Sequence, residues 1–350
     1  MDKIKIGIIG CGMIAMKHVK SLKELAEDIE LVALCDINIE NMKNVLTLWN
    51  PSSDIKLFTD VSLFLQSDID LVVIATSTDS HVGITKQALE KNKHVLVEKP
   101  LSLSMEEARE LHQKAEETNK IVAVSLQTRY LSQIQAIVKA KQTGEFGKLY
   151  YGTVTVRWNR NKEYYGKSPW RGTWGRDGGV LLNQCIHYID LLQLLLGDVV
   201  SVYGVGGTYR HPIEAEDLGM ALLKFANGSV GIIEGTTTVY DKNLQTSLSI
   251  FGENGYVALE GERLDDFKYW KFKNQNEMDL EIQNQIEEIS HTKMYKDIVS
   301  AIRSGSKPYV SIETTLKTHE IIFAIYKSIQ TGSTVTLPLE RYSTIENMDK

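Results

Sequence analysis

Cysteine is scarce in this chain: Cys11, Cys35 and Cys185 are the only ones among 350 residues. No two have the spacing of a zinc-ligand pair, and three thiols cannot close a disulfide framework. Disulfide-stapled folds and a metal site are therefore not expected, and free thiols fit a reducing cytoplasm. Runs of like charge are also missing. The 39 basic and 45 acidic side chains give a net charge of -6, spread along the chain, which is no nucleic-acid surface. The densest charged stretch, 260–288, mixes both signs and reads as solvated surface. Long apolar runs are absent too. The most apolar stretch, 180–197, is interrupted by Asn183, Gln184, His187, Asp190 and Gln193, so it is no membrane span. The first residues enter a strand pattern directly, with no signal-peptide pattern. A cytoplasmic protein without membrane contact is the expectation. No internal repeat and no low-complexity segment is visible.

The length suits two domains. The first third alternates strands and helices: strands at 3–9, 30–35, 71–75, 94–97 and 121–124, helices at 13–25, 39–49, 81–91 and 104–118. Ser104 and Glu107 have the spacing of a capping box. Near-continuous apolar strands alternating with helices mean a doubly wound parallel α/β sheet covered on both faces. From about 125 the texture changes. Residues 149–158 alternate, with Val154 and Val156 opposite Thr153, Thr155 and Arg157, a one-sided strand. Strands at 218–225 and 229–234 flank Asn227-Gly228, a hairpin signal, and strands at 246–251 and 256–259 flank a second turn. One helix is read at 180–196, and two more, 294–304 and 314–330, close the chain. The expected architecture is a Rossmann domain at 1–124 and an α+β domain with a large, mostly antiparallel open-faced sheet at 125–350, whose closing helices are free to pack back on the first domain.

Gly10-Cys11-Gly12-Met13-Ile14-Ala15 follows the first strand and opens the first helix. This is the G-x-G-x-x-A form of the dinucleotide fingerprint. Gly10 permits a tight turn, Gly12 lets the backbone approach a pyrophosphate, and Ala15 lets the helix pack on the sheet. The helix N-terminus then faces the phosphates with unpaired N–H groups and partial positive charge. Asp36 ends the second strand. A carboxylate there accepts both ribose hydroxyls of NAD and repels the 2′-phosphate of NADP, and neither Ile37 nor Asn38 supplies a compensating charge. NAD is the expected cofactor. Cys11 reads as a small residue filling the turn, not as a reactive thiol.

Glu98-Lys99-Pro100 follows a buried strand, at the sheet end where ligands bind in such folds. Alone it would pass for a solvated turn. A second constellation runs Gly178-Gly179-Val180-Leu181-Leu182-Asn183-Gln184-Cys185-Ile186-His187-Tyr188-Ile189-Asp190. On one helix Asn183 and His187 share a face, Asp190 extends it, and the glycine pair gives a ligand room at the entrance. Polar groups repeated along one face of a Leu-rich helix point to a lined pocket.

Together these motifs resemble the glucose–fructose oxidoreductase, inositol dehydrogenase and rhizopine-catabolism (Gfo/Idh/MocA) family, over nearly the whole chain. The resemblance implies an NAD-dependent dehydrogenase acting on a ring hydroxyl of a sugar or sugar derivative. Lys99 would touch the reacting oxygen, and His187 would serve as base or relay. It implies cofactor contacts at Gly10, Gly12, Met13, Ile14, Asp36, Thr76, Ser77, His81, Glu98, Lys99 and Gln127. Substrate contacts are implied at Gln127, Arg129, Tyr164, Trp170, Arg171, Thr173, Asn183 and Asp190, and assembly as a dimer or tetramer through the C-terminal sheet. Many members have Asp where this chain has Asn183. An amide takes no proton, so Asn183 would orient the substrate.

Glu163-Tyr164-Tyr165, Trp170-Arg171-Gly172-Thr173-Trp174 and Gln127-Thr128-Arg129 are similar to the branch that oxidises the 3-hydroxyl of UDP-N-acetylglucosaminuronic acid. Arg129, Arg157 and Arg171 offer forks for carboxylate or phosphate. Trp158, Tyr164, Tyr165, Trp170 and Trp174 offer faces for a sugar ring. Three other readings stay open: an inositol or simple-sugar dehydrogenase, a redox-neutral enzyme using NAD transiently, and a non-catalytic NAD-binding regulator.

Overall fold

Strand β1 (Ile4–Ile9) is buried along most of its length and lies in the middle of a six-stranded parallel sheet. The sheet continues through β2 (Ile29–Cys35), β3 (Lys56–Phe58), β4 (Leu71–Ile74), β5 (His94–Val97) and β6 (Val122–Val124), in the order β3-β2-β1-β4-β5-β6. The order reverses between β1 and β4, which pair in parallel, and ligands bind at that switch point beyond the carboxyl ends of the strands. The intervening helices are α1 (Met13–Lys23), α2 (Ile39–Trp49), α3 (Val61–Phe64), α4 (Thr78–Glu90) and α5 (Met105–Thr118). β3 and α3, three and four residues long, carry no periodicity that a sequence reading could detect. The expected Rossmann sheet is thus present.

The computed structural model describes residues 2–50, 54–274 and 291–348. The charged stretch 260–288 therefore lies partly outside the described residues. The chain forms two units. The first takes in Met1–Ser102, Glu106–Gln127 and Ser290–Thr315, and the second Leu103–Met105, Thr128–Ile289 and Leu316–Lys350.

The second unit holds an eight-stranded sheet: β7 (Leu149–Arg157), β8 (Val199–Gly207), β9 (Leu218–Phe225), β10 (Val230–Thr236), β11 (Gln245–Gly252), β12 (Gly255–Glu260), β13 (Asp266–Phe272) and β14 (Val335–Thr336). Its order is β13-β12-β11-β7-β10-β9-β8-β14. All pairs are antiparallel except β7 with β10, so the expected open-faced sheet is found. Val154 and Val156 on β7 point into the core while Thr153, Thr155 and Arg157 stay on the open face. Further helices in chain order are α6 (Ser132–Gln142), α7 (Lys162–Gly166), α8 (Val180–Asn183), α9 (Ile186–Leu196), α10 (Thr292–Ser304) and α11 (Ile312–Thr331). Among the described residues no helix is long and apolar enough to cross a membrane.

One expectation fails in an informative way. The helix read at 180–196 is two helices. The carbonyl of Val180 accepts both Gln184 N–H, at 3.0 Å, and Cys185 N–H, at 2.9 Å. The backbone therefore widens by one residue between α8 and α9, an insertion of the π type that recurs at functional sites.

Candidate active site

In the first unit the fingerprint loop takes its shape from Gly10. Its φ is +86°, and a Cβ there would sit 2.6 Å from the Ala75 carbonyl oxygen, so only glycine fits. A Cβ at Gly12 would meet nothing within 4 Å, which leaves that face open to a ligand. Gly12 caps α1 without a side-chain hydrogen bond, and the first turn holds no acid. The N–H groups around Met13 and Ile14 thus face outward with the helix's partial positive charge, a fit for a pyrophosphate.

Asp36 lies at the rim, half-exposed. Its Oδ2 accepts Cys11 N–H at 2.7 Å and its Oδ1 accepts Asn38 N–H at 2.8 Å. The acid expected to read the ribose therefore also braces the phosphate loop. A cleft of about 550 Å³ opens beside it, lined by Cys11, Gly12, Met13, Met16, Asn41 and Asn44. Burial, then the charge of Asp36, push the Cys11 thiol up to about 12, so it stays protonated and fills the turn as expected.

The loop after β4 is tied internally. Thr76 Oγ1 lies 2.6 Å from Ser80 Oγ, and Ser77 caps α4. His81 is a correction. It is buried, with Nδ1 2.8 Å from the Pro100 carbonyl and Nε2 3.2 Å from that of Thr76. Burial holds the ring neutral, with one N–H for these two carbonyl acceptors, and the ring anchors the turn after Lys99. Glu98 is a second correction. The residue is 8% exposed and its side chain turns inward to His18 Nε2, at 3.0 Å, so no carboxylate is presented to a ligand there. Lys99 is half-exposed, and its backbone N–H reaches Glu98 Oε2 at 3.3 Å. Gln127, on the short turn Gln127–Tyr130 at the end of this unit, keeps a buried Oε1 without a hydrogen-bond partner among the described residues.

In the second unit two expected ligand arginines are committed elsewhere. Arg129 donates through Nε and Nη2 to the two oxygens of Asp190, at 2.7 and 2.6 Å, and Thr318 Oγ1 donates to Asp190 at 2.7 Å. Arg129 is 1% and Asp190 0% exposed. Neither charge is available to a substrate, so both assignments are corrected. Removing one partner of such a buried pair typically costs about 3–5 kcal/mol of stability. Arg157 is likewise held, through Nε and Nη2, by Glu234 on the open sheet face, at 2.6 and 2.7 Å.

Tyr164 sits at the centre of a different cluster. The Arg171 guanidinium lies 4.4 Å from its ring and 4.7 Å from that of Trp170. The Arg160 guanidinium lies 5.1 Å from Tyr164 and 4.8 Å from Trp158. The Tyr164 hydroxyl accepts from Arg171 Nη1 at 2.6 Å and from Gln184 Nε2 at 3.2 Å. Neither Arg160 nor Arg171 pairs with a carboxylate among the described residues, so two positive charges remain on one aromatic surface. Arg160 and Gln184 were not expected here. Thr173 turns its hydroxyl to the Trp170 carbonyl at 2.7 Å and shapes the turn between the two tryptophans.

Between Gly178 and Gln193 only Asn183 and His187 are not buried. The widened turn between α8 and α9 sets them out from an otherwise core segment. Asn183 Nδ2 donates to Asp177 Oδ1, and Asp177 Oδ2 accepts Gly172 N–H at 2.7 Å. This chain of bonds joins Asn183 to the Trp170–Trp174 turn. The glycine pair is another correction. A Cβ at Gly179 would lie 1.6 Å from Glu216 Oε2, so its room is filled by a buried glutamate and not by a ligand.

Comparison with known proteins adds to this geometry. Residues 4–126 match an oxidoreductase family with an NAD-binding Rossmann fold, and residues 134–258 match the GFO/IDH/MocA C-terminal domain. The solved WlbA dehydrogenase of Bordetella pertussis, in complex with NADH and UDP-GlcNAcA, is 32% identical, with a TM-score of 0.90, over 97% of this chain and 100% of that chain. WlbA of Chromobacterium violaceum, with the same two ligands, is 33% identical, with a TM-score of 0.91, over 97% of both chains. The scyllo-inositol 2-dehydrogenase (NAD(+)) of Bacillus subtilis (strain 168) is 24% identical over 97% of this chain and 98% of its own length. With its fingerprint loop, its Glu98-Lys99-Pro100 turn and its open-faced second sheet, the chain belongs to the Gfo/Idh/MocA family of NAD-binding oxidoreductases.

Proposed function

We propose that the protein is an NAD-dependent dehydrogenase that oxidises a ring hydroxyl of an anionic nucleotide sugar, the 3-hydroxyl of a UDP-N-acetylhexosaminuronic acid. One observation carries the substrate class: Arg160 and Arg171 stack on Trp158, Tyr164 and Trp170 with no acidic partner among the described residues. Flat rings with two uncompensated guanidinium groups suit a sugar bearing carboxylate or phosphate. A neutral inositol would leave those charges unused. That similar WlbA proteins hold UDP-GlcNAcA supports the same reading.

Gly10, Gly12, Met13, Ile14 and Asp36 would hold NAD, which would supply the acceptor for the hydride on the carbon that carries the hydroxyl. Lys99 contacts the hydroxyl oxygen, and His187 takes the proton or passes it on. Asn183, held by Asp177, orients the sugar without taking a proton. Asp36 favours NAD over NADP. The three free, buried cysteines suit a reducing cytoplasm.

The protein works as a homo-oligomer built on the second sheet. Tyr203, Leu222, Ile232 and Thr153 form one row across the open face, in register from β8 to β7. Leu222 is 58% and Ile232 44% exposed. Val205 and Met220 continue the patch, and an apolar face of this extent marks an interface.

The test is direct. Purified protein with NAD⁺ is offered UDP-GlcNAcA, UDP-GlcNAc, scyllo-inositol and glucose, and NADH is followed at 340 nm. Turnover with UDP-GlcNAcA, with a 3-keto product by NMR, is expected. Turnover confined to the neutral polyols would replace this reading with the inositol or simple-sugar one.

A further inference from the structure

Glu98 ends β5 inside the first unit, where burial opposes its charge. Three chain segments meet around it. His18, fully buried in α1, puts Nε2 3.0 Å from Glu98 Oε1. The other nitrogen of the same ring, Nδ1, lies 2.8 Å from the hydroxyl of Tyr295 on α10, also fully buried. His291 lies against His18 at 4.5 Å between ring centroids, and its Nε2 is 4.0 Å from Glu98 Oε1. The remaining carboxylate oxygen, Oε2, accepts the Lys99 backbone N–H at 3.3 Å.

Burial pushes the Glu98 carboxyl up, but the hydrogen bond and charge of His18, then the charge of Lys99, hold it well below its ordinary range. Burial, then the charge of His18, push His291 down to about 3, so it stays neutral. Burial keeps the Tyr295 phenol protonated. Lys17 on α1 acts on His291, and His81 on α4 feels the Glu98 charge. Among the described residues these are the titratable groups that face the cluster.

An ionised carboxylate only accepts, so the hydrogen between His18 and Glu98 sits on Nε2. A metal reading is poorer: two ligands at about 2.1 Å from a tetrahedral zinc stand about 3.4 Å apart. The 3.0 Å separation here is that of a hydrogen bond.

We propose that His18, backed by Tyr295, is a positioning residue for Lys99: it holds the Glu98 carboxylate turned inward, and Glu98 in turn fixes the Lys99 backbone and sets its carboxylate beside it. This rests on the reading above in which Lys99 contacts the substrate hydroxyl. The fingerprint helix that faces the cofactor and the turn that carries Lys99 are thereby joined through one buried pair. The return of α10 to the first unit supplies the third member.

The test compares His18→Leu, His18→Gln, Glu98→Gln and the double variant His18→Leu/Glu98→Gln, with UDP-GlcNAcA and NAD⁺ as ligands. In His18→Leu the buried carboxyl takes up a proton and its charge is lost. The maximal rate is expected to fall about ten- to a hundredfold with little change in the Michaelis constant. The acid limb of the pH–rate profile is expected to move to lower pH by about one unit, because the neutral form of Lys99 is no longer opposed by a neighbouring anion. Glu98→Gln should move the limb the same way, and the double variant should add little to either. His18→Gln restores an N–H donor near the position of Nε2 and should recover most of the rate. Tyr295→Phe, which removes a single hydroxyl, gives a smaller shift of the same sign and serves if His18→Leu does not fold. An unmoved acid limb in Glu98→Gln and His18→Leu, or additive losses in the double variant, would overturn the proposal. Lys99→Met separates the premise from the inference. If it stays active, the role given to Lys99 fails. If it is inactive while His18→Leu and Glu98→Gln keep the wild-type profile, the positioning role alone fails.

Discussion

Glu216 occupies the space that any side chain at Gly179 would need: a Cβ at Gly179 would lie 1.6 Å from its Oε2. The other carboxylate oxygen accepts Leu181 N–H at 2.9 Å and the Tyr326 hydroxyl at 2.9 Å. A buried glutamate thus seats the start of α8, the helix that ends in Asn183. Burial is the main force on its carboxyl and raises it to about 8, against the pull of those two hydrogen bonds.

That shift gives a stability prediction with a definite sign. Unfolded, a glutamate loses its proton near about pH 4.3. Folded, Glu216 holds it to about pH 8. Between those values the folded state binds more protons, so its stability falls as pH rises and levels off above about 8. Glu216→Gln keeps the shape without the ionisation. Relative to wild type it should gain stability, by up to a few kcal/mol, as pH climbs through that window. Melting curves of both proteins across the range check this; parallel curves would refute it. Gly179→Ala should lower the melting temperature at every pH.

A second prediction concerns the cofactor. Asp36, the acid proposed to read the ribose, also accepts the Cys11 and Asn38 N–H groups. Asp36→Ala should therefore weaken NAD binding and shrink its advantage over NADP at the same time. Asp36→Asn, which keeps one acceptor, should lose discrimination with a smaller loss of affinity. Calorimetric titration with both nucleotides reads the two effects separately. A wild-type protein that prefers NADP would refute the assignment of Asp36.

What could be read from the sequence was what is local along the chain. The fingerprint loop, the alternation of β7 and the Asn227-Gly228 hairpin each lie within a few residues, so their chemistry and spacing are visible without a fold. What failed was set by distant partners. Asp190 looked like a pocket residue because it lies three positions beyond His187, but Arg129 captures it from 61 positions away. Glu98 is turned inward by His18, 80 positions away. His81 reads as a cofactor contact at the start of a helix until its ring is found 2.8 Å from the Pro100 carbonyl. Arg160 lies two positions from Trp158 in sequence, yet its counter-charge is decided by which acids other strands bring near, and that has no local signal. The break between α8 and α9 was invisible for the same reason, since the residues around Cys185 have ordinary helical character.

The third prediction tests assembly. Leu222 and Ile232 face each other across β9 and β10 on the open side of the sheet. Leu222→Glu with Ile232→Lys places charge in the middle of that patch while adding a cross-strand ion pair that keeps the sheet compatible. Multi-angle light scattering should show the wild type as a dimer or larger and the variant as a monomer. A wild-type monomer at micromolar concentration would refute the interface.

The last prediction separates the roles of Lys99, His187 and Asn183. Lys99→Ala should abolish turnover and leave NAD affinity nearly intact, because Gly12, the α1 N-terminus and Asp36 are untouched. His187→Ala should cut the maximal rate by about a hundred- to ten-thousandfold if it takes or relays the proton. Asn183→Ala should raise the Michaelis constant more than it lowers the rate, since an amide positions without accepting a proton. Asn183→Asp introduces a carboxylate whose first effect falls on Asp177, to which Asn183 now donates. Asp177 also accepts Gly172 N–H at 2.7 Å, so it cannot turn away without loosening the Trp170–Trp174 turn. Two carboxylates at hydrogen-bond distance cannot both be ionised cheaply, so one proton would be shared between them. Asn183→Asp should therefore hold its activity at mildly acidic pH and lose it as pH rises through the point where the shared proton leaves. A pH–rate profile set against that of Asn183→Ala measures this. An Asn183→Asp variant with the wild-type profile up to alkaline pH would show that the Asp177 bond does not hold Asn183 in solution.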